Sequence, residues 1–188
     1  MITLYMLRHG VAVERGSGDE SDEDSRRLLT EQGERKVRRI AERLEELGVV
    51  VDVLLSSPFL RAHRTAEIVA EVLGIRRKLA VCEALAVGGD TRELITFLNE
   101  RCASHKRVML VGHEPYLTDL ASVLVSGRPG LPLKLKKGGL IKLRAEHLRL
   151  GRCAMLEWLL PPRVLAHLGP REYLEKRPSN SNGLLSKE

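Results

Sequence analysis

Four short strand-like runs divide this chain, Ile2 to Leu7, Val49 to Leu55, Arg76 to Cys82 and Val108 to Val111, and a helix-length stretch separates each from the next. That alternation predicts parallel strands, because a parallel partner is reached only by a return path of about a dozen residues or more, and such crossovers are right-handed. Ile2 to Leu7 and Val49 to Leu55 are almost continuously apolar, as strands covered on both faces by helices require. The fold expected is therefore α/β, a three-layer αβα sandwich around a mostly parallel central sheet.

The stretches between the runs carry helix signals. Thr30 can cap a helix to about Leu47, with Val37, Ile40, Ala41 and Leu44 at helical spacing and Gly48 as the stop. Pro58 suits a first helical turn with Ser57 as its cap, and that helix runs to Gly74. Asp90 with Glu93 has the form of a capping box, and a further helix is expected from Tyr116 to Val125. Gly139 to Leu143 and Ala154 to Leu159 read as two more strands, hairpin-like at an edge, and Pro161-Pro162 starts a short helical piece. With 188 residues, 43% of them hydrophobic, a single domain over residues 1–168 is expected, followed by a loosely held tail over 169–188.

Composition narrows the function. Aromatic residues make up only 3% of the chain, so stacking platforms for single-stranded nucleic acid are lacking. The net charge of +6 comes from Lys and Arg scattered beside Glu along helices, the pattern of solvated faces, and no nucleic-acid partner is expected. Cys82, Cys102 and Cys153 are isolated and show no paired spacing, which suits a reducing cytoplasm. No apolar run approaches the roughly 20 residues of a membrane helix, so no membrane association is expected. The acidic run from Asp19 to Asp24 reads as a solvated, mobile loop.

The residues at the strand exits point to chemistry. The first strand ends in Arg8-His9-Gly10, the second in Ser56-Ser57-Pro58 with Arg61 just beyond, the third leads to Glu83, and the fourth ends in Gly112-His113-Glu114-Pro115. Parallel strands place all their carboxyl ends on one edge, where open α/β sheets bind ligands. Two arginines, two histidines and one carboxyl at one edge suit a phosphoryl group, since guanidinium forks match phosphate oxygens. No Walker loop, no Cys-x5-Arg cradle and no Gly-x-Ser-x-Gly elbow occurs. A histidine nucleophile remains, with no metal or other cofactor required.

Leu7-Arg8-His9-Gly10, Ser56-Ser57-Pro58 with Arg61-Ala62 and Thr65-Ala66, and Val111-Gly112-His113 resemble, in order and spacing, the histidine phosphatase superfamily. Leu29-Thr30 before Gly33, Glu83 with Gly88-Gly89-Asp90, and Trp158 to Pro162 are most similar to its SixA-type phosphohistidine phosphatases. The resemblance implies a phosphoglycerate mutase-like fold and a metal-independent phosphatase. It implies His9 as the phosphorylated nucleophile, Arg8 and Arg61 as phosphate clamps, His113 as a further contact and Glu83 as the proton donor to the leaving group. Arg64 stands where a glutamine is common and is expected as an additional anion contact. The partner so implied is a phosphohistidine-bearing protein such as a phosphotransfer domain, with phosphate or another oxyanion in the site. A small-molecule phosphomonoesterase or phosphomutase of the same superfamily, and a non-catalytic phosphate-binding module, are the alternatives.

Overall fold

The structure, a computed structural model, describes residues 1–14 and 22–167. The expected tail over 169–188 and residues 19–21 of the acidic run lie outside the described residues, and the rest of that run, expected as a mobile loop, enters a helical turn. β1 (Ile2–Arg8) is followed by a one-turn helix α1 (Asp22–Ser25), then α2 (Glu31–Glu46), β2 (Val53–Ser56), α3 (Leu60–Val72) and β3 (Leu79–Val81). The chain continues through α4 (Thr91–Arg101), β4 (Arg107–Gly112), α5 (Tyr116–Ser126), β5 (Leu140–Ala145), β6 (Ala154–Leu160) and α6 (Pro162–Leu165).

Among the described residues the six strands form one sheet in the order β3-β2-β4-β1-β5-β6. β1, β4, β2 and β3 run parallel, whereas β5 pairs antiparallel with both β1 and β6. The mostly parallel sheet is thus present, and the final hairpin extends it past β1.

Side chains alternate across the sheet into two cores. Tyr5, Leu7, Leu54, Met109 and Val111 pack with Val37, Ile40 and Leu44 of α2, Ala62, Ala66 and Val69 of α3, and Leu165 of α6. Leu4, Met6, Leu55, Val108 and Leu110 pack on the other side with Leu94 and Leu98 of α4 and Leu117, Leu120 and Leu124 of α5. This is the three-layer sandwich that near-continuous apolar strands demand.

The caps read from sequence are present in two helices. Thr30 Oγ1 accepts from the Gly33 N–H at 2.9 Å, and Asp90 Oδ1 accepts from the N–H groups of Arg92 and Glu93 at 2.6 and 3.0 Å. α3 departs from expectation, since its cap position is Phe59 and no side chain caps it, while Ser57 is drawn elsewhere. The third strand is also shorter than Arg76 to Cys82. Arg76, Arg77 and Lys78 form a 3-10 turn, because three successive cations have no place inside a sheet, and only Leu79–Val81 pairs with β2.

Two glycines owe their presence to close approach. A Cβ on Gly10 would lie 2.7 Å from Val37 Cγ2, so Gly10 serves to admit α2 against the end of β1 and carries no left-handed backbone. A Cβ on Gly33 would lie 2.1 Å from the Val11 carbonyl oxygen, which also accepts the Thr30 N–H at 2.9 Å. Backbone cannot yield as a side-chain tip can. Gly33→Ala is expected to lower stability by about 1–3 kcal/mol, the range for forced overpacking, measured as a shift in urea midpoint. An unchanged midpoint would show that Val11 moves freely.

Candidate active site

β1 and β4 pair with Arg8 opposite Gly112, and the His9 N–H donates to the Gly112 carbonyl at 3.1 Å. His9 and His113 therefore leave adjacent parallel strands side by side, with ring centroids 5.1 Å apart. α3 brings Arg61 to the same place, because its first turn follows directly from the end of β2. Gly10 N–H donates to Thr65 Oγ1 at 3.1 Å, and that hydroxyl donates to the Arg61 carbonyl at 2.7 Å, so the exit of β1 is tied to the turn that carries Arg61.

These groups line a cavity of about 300 Å³. Arg8, His9, Arg61 and His113 form part of its wall, joined by Asp24 and Glu114, with Arg27, Val87 and Lys137 completing the lining. Arg61, only 4% exposed, donates from Nη1 to the Asp24 carbonyl at 2.5 Å and from Nη2 to Asp24 Oδ2 at 2.9 Å. Its Nε–H approaches His9 Nε2 at 3.4 Å, and its guanidinium carbon lies 5.2 Å from the Phe59 ring centre. Arg8 Nη1 donates to the Leu135 carbonyl at 2.7 Å.

His9 is held in one tautomer. Its Nδ1 lies 2.7 Å from the Gly10 carbonyl oxygen, which can only accept, so Nδ1 carries the proton and Nε2 the lone pair. Burial, together with the nearby His113 and the Arg61 and Arg8 cations, pulls its pKa down to about 3, against the pull of the Gly10 carbonyl. His113, 2% exposed, is lowered to about 3 by burial and by Arg61 and Arg8, with Asp24 opposing. Both rings are neutral at pH 7. His113 Nε2 sits 2.8 Å from Ser57 Oγ, and Phe59 packs on it at 5.1 Å between centroids.

Three buried polar atoms on this wall have no hydrogen-bond partner among the described residues: Arg8 Nε, His113 Nδ1 and Glu114 Oε1. Buried donors and acceptors are rarely left so, and their convergence on one cavity fits a polar ligand that supplies the missing bonds.

Arg8, His9, Arg61 and His113 are thus brought together, as the strand exits predict. Two expected residues lie elsewhere. Glu83 opens a 3-10 turn, Glu83–Leu85, with an exposed side chain outside the cavity lining; Val87, four residues on, reaches the cavity instead. Arg64 points away toward α2, where Nε and Nη2 bind Glu34 at 2.8 and 3.0 Å and Nη1 binds Glu67 at 3.3 Å. Two carboxylates satisfy that guanidinium, so it is not the anion contact expected of it.

Sequence reasoning missed Asp24, Ser57 and Glu114 as site residues. Asp24 reads as part of a solvated acidic run, yet it is 8% exposed and bridges Arg61 and Arg27, each at 2.9 Å. The only signal was the pair Arg26-Arg27 shortly after it. Glu114 was visible as an acid next to a strand-exit histidine. Among the described residues no group of three His, Cys, Asp or Glu is placed to hold a metal ion.

The depressed histidine pKa values have a measurable consequence for stability. The unfolded chain takes up protons on His9 and His113 below about pH 6.5, whereas the folded chain resists until near 3. Their contribution is complete above pH 6.5 and is lost progressively as pH falls toward 3, by up to about 1.4 kcal/mol per unit for each histidine. His113→Asn is expected to flatten the fall in unfolding midpoint between pH 7 and 4, followed by circular dichroism. Parallel curves for the two proteins would refute a neutral buried His113.

Comparison with known proteins places this geometry. The family model of the histidine phosphatase superfamily (branch 1) matches residues 4–86. The phosphohistidine phosphatase SixA of Escherichia coli is 31% identical over 128 residues, spanning 66% of this chain and 74% of SixA. Among solved structures, the protein histidine phosphatase SixA complexed with tungstate superposes with a TM-score of 0.75 at 25% identity, over 87% of this chain and 99% of that one. A mycobacterial glucosyl-3-phosphoglycerate phosphatase shares the fold at a TM-score of 0.65 and 20% identity, over 86% of this chain and all of its own, 100%. Shared sequence, a shared fold and the Arg8, His9, Arg61 and His113 cluster at the strand exits agree, and the chain belongs to the histidine phosphatase superfamily.

Proposed function

We propose that this phosphatase removes the phosphoryl group from phosphohistidine on another protein, such as a phosphotransfer domain, through a phosphorylated His9. The observation that carries the reading is the state of His9: neutral, with Nδ1–H fixed on the Gly10 carbonyl and the Nε2 lone pair facing Arg61 in a cavity with two arginines. In the first step Nε2 bonds to phosphorus as the bond to the leaving group breaks. The phosphorylated ring keeps its Nδ1 proton, and the Gly10 carbonyl stabilises the positive charge it gains. Water then attacks phosphorus and gives up a proton to a base, the P–N bond breaks to release inorganic phosphate, and Nε2 recovers its lone pair. Arg8 and Arg61 neutralise the phosphoryl oxygens, whose charge spreads in the transition state.

Support for a protein substrate comes from the similarity to SixA and from the wall of the cavity. The connections after β3 and β4, residues 82–90 and 113–115, are short, and Val87 and Lys137 on the lining are exposed; the longer connection from β1 to α2 adds Asp24 and Arg27 to the wall. Short connections leave room for a side chain projecting from another protein, whereas lids over small substrates are usually built from longer ones.

The test is a parallel assay of a histidine-phosphorylated phosphotransfer domain, p-nitrophenyl phosphate and phosphoglycerate with one preparation. Phosphohistidine is expected to have the highest kcat/KM, and faster turnover of phosphoglycerate would replace this reading with that of a small-molecule enzyme. Acid-labile phosphate is expected on wild-type protein during turnover and none on His9→Ala; a label that survives the substitution would remove His9 from the role. Activity is expected to persist in EDTA because Arg8 and Arg61 already supply the cationic charge. Loss reversed by a divalent ion would overturn that expectation.

A further inference from the structure

We propose that Glu114, in place of Glu83, is the proton donor to the leaving group and the base that receives the proton of the attacking water. The assignment rests on the proposed phosphohistidine intermediate. Among the described residues three carboxyls compete for the role. Glu83 is exposed and lies outside the cavity lining. Asp24 lines the cavity but binds two guanidiniums, those of Arg61 and Arg27, each at 2.9 Å, which hold it as an anion. Glu114 lines the cavity and accepts at Oε2 from the Thr118 hydroxyl at 2.8 Å, while its buried Oε1 has no partner among the described residues.

An ionised carboxylate with a buried, unsatisfied oxygen is costly, whereas a neutral acid needs only an acceptor for the proton on that oxygen. The leaving-group oxygen or nitrogen is such an acceptor. Burial also raises the pKa of Glu114 above the usual carboxylate value, with the Thr118 hydroxyl and Arg8 opposing. Two cavity carboxyls in environments that favour opposite charge states divide the labour, Asp24 as the anion and Glu114 as the acid. The position is supplied by the sheet. β4 ends at Gly112 opposite Arg8 of β1, so His113 leaves it beside His9 and Glu114 follows at once.

The step balances. As His9 Nε2 bonds to phosphorus, the electron pair of the breaking P–O or P–N bond takes the proton from Glu114 Oε1, leaving carboxylate and a neutral alcohol or imidazole. In the second half Glu114 accepts a proton from water as its oxygen bonds to phosphorus, giving inorganic phosphate, neutral His9 and protonated Glu114 again.

Leaving-group dependence separates a proton donor from a structural residue. Glu114→Gln is expected to lower kcat/KM, which reports only the steps up to departure of the leaving group, by 100-fold or more for an alkyl phosphate, the usual order for general acid catalysis. The loss for p-nitrophenyl phosphate, whose leaving group departs without a proton, is expected to stay below about 10-fold. Glu83→Gln is expected to show no such selectivity. Equal losses on both esters with Glu114→Gln, or selective loss with Glu83→Gln, would overturn the proposal. So would a wild-type protein that cleaves p-nitrophenyl phosphate but no alkyl ester. Wild-type inactivity on phosphohistidine with the selective Glu114→Gln loss intact would leave Glu114 in its role and remove only the substrate reading.

Discussion

The parallel pairing of β1 with β4 is the constraint on which the site depends. Because Arg8 lies opposite Gly112, the residues just beyond the strands, His9 and His113, emerge as neighbours, and every other group is placed relative to that pair. A one-residue slip would send Tyr5 and Leu7 to the face now occupied by Leu4 and Met6, so burial of both faces fixes the register. The chemistry inherits its precision from the packing of the two cores.

Electrostatics then does what the backbone cannot. Two imidazoles 5.1 Å apart beside two arginines could not both carry charge, and desolvation together with those cations keeps both neutral near pH 7. The site is cationic through its guanidiniums and nucleophilic through an imidazole, two properties that would conflict in a single group. Asp24 moderates the first by holding Arg61 in a buried ion pair, whose desolvation cost is tolerable only because each partner is bonded more than once.

Arg8, His9, Arg61 and His113 were legible from sequence because each interrupts or closely follows an apolar run, and parallel topology converts such positions into one edge. The order of elements and the caps at Thr30 and Asp90 were legible for the same local reason. Ser57 was not, since a serine before a proline and a helix has an ordinary explanation as a cap, and its bond to His113 spans 56 residues. Asp24 was hidden among acids of identical local appearance. That Glu83 and Arg64 lie outside the cavity lining was not legible, because sequence places a side chain near an edge without saying which way it turns, and Arg64 finds Glu34 30 residues away.

The pairing of β5 and β6 beyond β1 has a use unrelated to chemistry. The chain has a single tryptophan, Trp158, which lies on edge strand β6 opposite Lys142, 6.2 Å from the Tyr5 ring and with the Lys142 ammonium 5.8 Å above it. No other indole competes with its emission, and it does not line the cavity. Its fluorescence therefore reports the detachment of the antiparallel edge from the parallel sheet, an optical view of one border of the fold that stays silent while ligands come and go at the other strands' ends.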